Sequence, residues 1–292
     1  MSTTPTLAVI GGSGLYEIEG LVGVEEVTVE TPFGAPSDVI VRGRLGGTTL
    51  LFLPRHGRGH RLAPHEIPFR ANVCALKKLG ATHLVSISAV GSMKEAIAPG
   101  DFVVVDQLVD LTKRRPSTFF EDGLVGHVGF ADPVCEHLSE ALAAAAARGG
   151  ARVHQGSTYV CIEGPQFSTR AESLLYRSWG VSVIGMTALP EAKLAREAEL
   201  PYALLALATD YDCWHESEAD VSVEAVLAVM KTNVVAARRT VAELAGSLPD
   251  AAASRASTAL ASAIMTAHDR ISPAAHARLD WLVGKYLGPS KR

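Results

Sequence analysis

Two carboxylates, Asp210 and Asp212, stand just past the apolar run YALLALA at residues 202–208, separated from it by Thr209. A short, nearly continuous apolar run is the pattern of a strand covered on both faces. Open α/β sheets bind their ligands at the carboxyl ends of such strands. If the strand's alternation persists through the tip, both carboxylates point to the same side. A solvated turn or a helix N-cap uses the same residue types. The buried run in front and Cys213-Trp214 behind argue against a wet loop, so the pair reads as part of a binding site.

Other residues at strand ends offer donors to an anion. Ser13 lies in Gly11-Gly12-Ser13-Gly14, directly after LAVI at residues 7–10. Arg55-His56 follows Phe52-Leu53-Pro54 and precedes glycines. Ser88-Ala89 ends HLVSIS, and Thr187 opens the segment before a helix. An arginine fork, hydroxyls and turn amides together would make an oxyanion site. Each alone is as readily a cap or a packing turn; their joint occurrence carries the reading. The glycine turn is not a dinucleotide fingerprint, because Glu17 stands at the third glycine position, and it lacks the GK[ST] of a P-loop. His56 and His60 have HxxxH spacing, but glycines between them argue against a helix and no third ligand is evident, so no metal site is expected. No GxSxG elbow is present, and Cys161 and Cys213 lie in apolar surroundings as inert thiols.

The elements that must hold these groups alternate along the chain. Strands are expected at residues 7–10, 24–29, 39–53, 83–88, 102–105, 157–162, 181–184 and 202–208. Helices are expected at 67–79, 133–148, 169–179, 192–200 and 221–248. Ala89-Val90-Gly91-Ser92 reads as a tight small-residue turn, and residues 114–130 read as a loop. This order predicts a single α/β domain with a mixed central sheet flanked by helices, over residues 1–248. Residues 249–258 are Ala/Ser-rich and read as a possible linker; residues 259–292 read as a helical segment completing the domain or a neighbouring subunit's site.

Composition sets the outer limits. The 292 residues are 48% hydrophobic and 20% charged, with a net charge of −4. That suits a globular enzyme and predicts no nucleic-acid surface. No run of 18 uncharged apolar residues predicts a membrane span, and the amino-terminal segment lacks a signal-peptide pattern. The four cysteines form no CxxC and no disulfide framework, so a cytoplasmic protein with reduced thiols is expected.

The motifs VIGGSG, TPFGAPSD, LPRHGRGH, SAVGS, PGD, IEGPQFSTRAES, GMTALPEAKLAREA and TDYDCW occur in this order. Together they resemble the trimeric branch of the purine nucleoside phosphorylase superfamily over about residues 7–244. More narrowly they resemble members that cleave S-methyl-5'-thioadenosine to adenine and 5-methylthioribose 1-phosphate. The resemblance implies that Ser13, Arg55, His56, Ser88, Ala89 and Thr187 hold phosphate, the same set reached from the residues. It implies base contacts from Phe167 and Ser168 and from Asp210 and Asp212, with Asp210 the catalytic acid. Similar chains that use 6-oxopurines carry Asn at the Asp210 position, so a carboxylate there implies a 6-aminopurine. It implies that Met186, Val223 and Val226 line the ribose and 5'-alkylthio pocket. It also implies that His127, with an apolar residue near the carboxyl end (Met265 or Ile271), is lent to a neighbouring subunit of a homotrimer. No cofactor is implied, inorganic phosphate being a co-substrate. The alternatives are a phosphorylase for 6-oxopurine nucleosides or for another 5'-substituted 5'-deoxyadenosine, a water-using nucleosidase, and a non-catalytic nucleotide-binding module.

Overall fold

Short runs rich in valine, leucine and isoleucine alternate with amphipathic stretches along the chain, and they form strands and helices in the same alternation. In this computed structural model, residues 4–12, 14–215 and 223–288 are described. Among them, nine strands share one sheet. These are β1 (Thr6–Gly11), β2 (Val22–Val27), β3 (Ile40–Leu45), β4 (Thr48–Pro54), β5 (His83–Ser92), β6 (Phe102–Asp110), β7 (Val153–Cys161), β8 (Val183–Gly185) and β9 (Tyr202–Asp210). The flanking helices are α1 (Phe69–Lys78), α2 (Glu136–Arg148), α3 (Arg170–Ser178), α4 (Ala188–Glu197), α5 (Val223–Ala245) and α6 (Pro273–Leu287). The expected α/β architecture with a mixed sheet is the one observed: β1, β4, β5 and β9 run parallel, while β3, β6 and β8 pair antiparallel to neighbours.

Two features of the pairing position the site. First, β9 pairs with β5 on one edge and β6 on the other, and β6, β7, β8 and β5 pair in turn, so these five strands close into a ring. Second, β5 changes partner along one edge. Its first residues pair with β1 from Leu7↔His83 to Ile10↔Ser86, and its last pair with β8 at Gly91↔Ile184 and Ser92↔Val183. A gap therefore opens between β1 and β5 beyond Ser86.

The small residues after Ser88 continue as strand because Val90 and Ser92 are buried and the backbone bonds to β9 and β8. The sequence reading of a turn there is corrected by those partners. Hydrophobic packing divides by face: α1, α4 and α6 cover one side, α2 and α5 the other. Helix α3 begins at Thr169 with a capping box closed by Glu172. Residues 249–258 carry two short 3-10 helices, Ala251–Ala253 and Arg255–Thr258, each capped by the preceding Asp250 or Ser254. No described helix is long and apolar enough to cross a membrane.

Candidate active site

The carboxylates meet at Gly91, and a bulge brings them there. Val90 faces Ala208 but Gly91 faces Asp210, so β9 carries one extra residue, Thr209, against β5. Bulges of this kind re-aim side chains beside active sites. Asp212 then turns left-handed, with φ +52°. The expected strand alternation thus does not persist; a bulge and a left-handed residue replace it. A Cβ at Gly91 would lie 3.0 Å from Asp210 Oδ1 and 3.3 Å from Asp212 Cβ, so both residues flank this one glycine.

Both carboxyls are held by donors. Asp210 Oδ1 accepts the Asp212 amide N–H at 2.8 Å, and Oδ2 accepts the Thr209 hydroxyl at 2.7 Å. The buried Ser173 hydroxyl donates to Asp212 Oδ2. Burial raises the pKa of Asp210, the negative charge of Asp212 adds to that, and the two donors offset part of it. Burial likewise raises Asp212, against the Ser173 hydrogen bond. Asp210 is thereby biased toward holding a proton, which a general acid requires.

The groups expected to hold an anion gather around the gap between β1 and β5. Arg55 follows β4, and its backbone N–H donates to Gly11 O at 2.9 Å. Its side chain fills the gap: Nη2 donates to Ile10 O and Nη1 to Ile87 O, both at 3.1 Å. These carbonyls flank the point where the strands part, so the guanidinium replaces lost ladder bonds. Nη2 also reaches Ser86 Oγ at 2.6 Å, and Nε and Nη2 grip Glu191 at 3.0 and 3.2 Å. The expected two-pronged grip of Arg55 on phosphate is therefore not available. Glu191 takes that face of the fork, and among the described residues only the second N–H of Nη1 is left without a partner.

Ser88 and Thr187 are buried near this gap, on β5 and just after β8. Ser88 Oγ has no hydrogen-bond partner among the described residues, as expected of a donor that awaits a ligand. Ala89 is its strand neighbour, facing Leu207. Thr187 N–H lies 3.4 Å from the Tyr159 hydroxyl, and its side chain makes no capping bond to α4. His56 Nδ1 donates to Leu62 O at 2.8 Å, which leaves Nε2 as an acceptor in the neutral ring. Burial pulls its pKa down to about 4, so the ring is neutral at pH 7. His60 stacks on it, with ring centroids 4.1 Å apart. Among the described residues no group of three or more His, Cys, Asp and Glu could hold a metal ion. Ser13 lies outside the described residues.

The remaining groups close over the same end of the strands. Ser168 Oγ is buried without a partner among the described residues, and its carbonyl lies 3.4 Å from Cys213 Sγ, next to Asp212. Phe167 beside it is 49% exposed, so its ring is open to a ligand or to another chain. Met186 packs on the loop that leads to them: its Sδ takes the space that a Cβ at Gly164 would need. Arg115 donates to the carbonyls of Glu163, Met186 and Leu189.

Two further predicted groups lie on other elements. His127 is exposed, with its N–H on Ala263 O at 2.8 Å, and it lines a separate cavity of about 390 Å³ with Thr118, Phe130 and Glu197. Val226 is half-buried in the first turns of α5; the side chain of Val223 is not among those described. Helix α5 is nevertheless tied to the site from both ends of its middle: Asn233 Nδ2 donates to Ala208 O at 3.3 Å and Arg238 Nε to Gly14 O at 2.8 Å. Glu191, Ser173, Gly91 and Arg115 escaped the sequence reading. A glutamate inside the apolar stretch MTALPEAKLA was the visible signal for the first; the others carry no local signature.

Comparison with known proteins gives this geometry its context. A model of the phosphorylase superfamily matches residues 6–245. The S-methyl-5'-thioadenosine phosphorylase of Geobacter sulfurreducens is 56% identical over 282 residues, 96% of this chain and 99% of the relative. The protein of the same name from Thermosynechococcus vestitus is 52% identical, covering 97% of this chain and 100% of the relative. Among solved structures, a methylthioadenosine phosphorylase from an Antarctic soil metagenomic library superposes with a TM-score of 0.90 at 47% identity, covering 96% of this chain and 99% of that one. The methylthioadenosine phosphorylase of Schistosoma mansoni in complex with adenine superposes with a TM-score of 0.77 at 39% identity, covering 83% and 91%. With the family match spanning all nine strands and identity sustained over nearly the whole length, the chain belongs to the phosphorylase superfamily.

Proposed function

We propose that this protein catalyses the phosphorolysis of S-methyl-5'-thioadenosine to adenine and 5-methylthioribose 1-phosphate, a pentosyl transfer. One observation carries the reading: the Asp210 and Asp212 carboxylates flank Gly91 at the end of β9, on the strand next to Ser88, whose buried hydroxyl has no partner among the described residues. The near-full-length relatives that share the activity in their names support it.

Base chemistry follows from the carboxylates. Adenine offers an amino group at C6, and Asp212, held by Ser173, suits it as an acceptor. The glycosidic bond loosens first, leaving oxocarbenium character on the ribosyl group. The departing adenine gathers electrons at N7, and Asp210 delivers a proton there. Such general acid help is worth about 10²–10⁴ in rate. Ser88, Thr187, the Arg55 Nη1 N–H and Ser13 hold phosphate beneath C1', where its charge stabilises the developing cation. His56 completes this set as a neutral acceptor for a protonated phosphate oxygen. Phe167 and Ser168 hold the base, and Met186, Val223 and Val226 the 5' end. No cofactor takes part.

The site is shared between subunits of a homotrimer in this reading. Exposed apolar side chains support it. Val125 and Met265 stand 45% and 65% exposed where residues 125–127 pair with 263–265, beside His127. Phe167, just before α3, and Leu174 and Leu175 on it are a second set of exposed apolar side chains. A ring in which the first patch covers the second buries both, and brings His127 and Met265 to a neighbour's 5' pocket. The reaction is placed in the cytoplasm, in keeping with four free cysteines.

The test is base release from methylthioadenosine, adenosine, methylthioinosine and inosine, each with and without phosphate. Phosphate-dependent adenine release, fastest from methylthioadenosine, is expected. Preference for the inosines would refute the assignment of Asp210, and release indifferent to phosphate would make the protein a hydrolase.

A further inference from the structure

We infer that Arg115 is a positioning residue that fixes the spacing between the base-binding loop and the ribose–phosphate segment. The inference rests on the phosphorolysis proposed above. It concerns a residue that touches neither substrate.

The strands explain why such a residue is needed. β7 and β8 run side by side only as far as Cys161↔Gly185. One more backbone bond follows, Ile162 N–H to Gly185 O at 2.9 Å, and the two chains then separate. The first becomes the loop 163–168 that presents Phe167 and Ser168. The second becomes 186–189, which presents Met186 and Thr187. Carbonyls just past the end of a ladder have lost their strand partners and need donors.

Arg115 supplies them. Its side chain is 1% exposed. Nη1 donates to Met186 O and Leu189 O, both at 2.7 Å, and Nη2 donates to Glu163 O at 2.5 Å. Nε lies 3.4 Å from Glu163 Oε2, which also accepts the Lys113 N–H at 3.0 Å. One planar group therefore bonds both diverging segments at once. A lysine ammonium lacks the fixed fork that reaches three carbonyls in two directions. The segments are also in contact at Gly164, where Met186 Sδ occupies the space a Cβ would need. Arg115 and the Gly164–Met186 contact thus hold the two segments at one separation. Base and phosphate are bound by different segments, so that separation sets how the glycosidic carbon meets the nucleophile. Misplacement by about 1 Å costs on the order of 10²-fold in rate.

The experiment compares wild type with Arg115→Lys and Arg115→Ala. For each, adenine binding and phosphate binding are measured separately by calorimetry, and kcat is measured with methylthioadenosine and phosphate together. The expected result for Arg115→Lys is adenine and phosphate affinities close to wild type, with kcat lower by about 10²-fold. Methylguanidine added to Arg115→Ala should restore part of kcat, because it returns the fork without the side chain. A wild-type kcat in Arg115→Lys overturns the inference. So does a loss of kcat that runs in parallel with loss of both affinities and of thermal midpoint and is not rescued by methylguanidine, since that is a plain stability role. Phosphate-dependent turnover by wild type, scored in the same series, separates failure of this inference from failure of the assigned reaction.

Discussion

The Arg55 guanidinium and the Glu191 carboxylate form a two-point ion pair, Nε–Oε2 at 3.0 Å and Nη2–Oε1 at 3.2 Å, with both side chains no more than 2% exposed. Tyr202 adds its hydroxyl to Oε1 at 3.2 Å. The pair lies where β1 and β5 part, so it is a joint of the sheet and, in the proposed function, the floor of the anion site. Removing one partner of a buried pair typically costs about 3–5 kcal/mol, because the other charge is left uncompensated. Glu191→Ala should therefore lose stability on that order in urea unfolding and weaken phosphate binding as Arg55 shifts. A fall of less than about 1 kcal/mol would show that Glu191 is dispensable to the joint.

Gly91 leaves no room for a side chain. A methyl there would sit 3.0 Å from both Asp210 Oδ1 and Ile184 Cγ2. Gly91→Ala should displace the Asp210 carboxyl by a few tenths of an ångström and lower kcat/KM about tenfold or more. The thermal midpoint should change less, since the glycine's φ is not in the left-handed region. Unchanged kinetics in a folded variant would place Asp210 outside the reaction.

Asp210→Asn keeps the shape but holds no transferable proton. Loss of about 10²–10⁴ in kcat on methylthioadenosine is expected. An amide can also donate to a 6-oxo group, so relative activity on methylthioinosine should rise. Steady-state rates on the two nucleosides check both halves, and a variant with wild-type adenine release would transfer the acid role elsewhere.

Glu197 makes stability depend on pH. Burial raises its pKa from 4.5 to about 7, against hydrogen bonds from the Phe119 N–H and the Thr118 hydroxyl. The native protein therefore holds this proton to higher pH than the unfolded chain does. Stability from this group is fully present below about pH 4.5 and is lost as pH rises through 7. Glu197→Gln removes the titration. Relative to the variant, wild type should lose up to about 3 kcal/mol between pH 4.5 and pH 8 in urea unfolding, and parallel pH profiles would contradict it.

Much of this was legible in the residues. The run YALLALA had to be a doubly covered strand, and the alternation of such runs with amphipathic stretches had to give an α/β domain. The donors Arg55, Ser88 and Thr187 and the carboxylates Asp210 and Asp212 were readable because each stands just past an apolar run, where a sheet ends. That shared position is what joins them as one candidate site.

Other parts were not legible, because they depend on which strands become neighbours. The bulge at Thr209 exists only against β5, and it decides where Asp210 points. Arg55 read as a phosphate fork from its type; only the gap between β1 and β5, with Glu191 136 residues away, assigns most of its donors to the protein. Arg115 has no local mark, since the carbonyls it serves belong to segments 48 to 74 residues distant. Sequence by itself determined which residues could do chemistry and which runs would be buried, because side-chain type and periodicity are local properties. Tertiary structure alone decided which donors remain free and which face the carboxylates take, because hydrogen-bond partners are assigned only when distant strands pair.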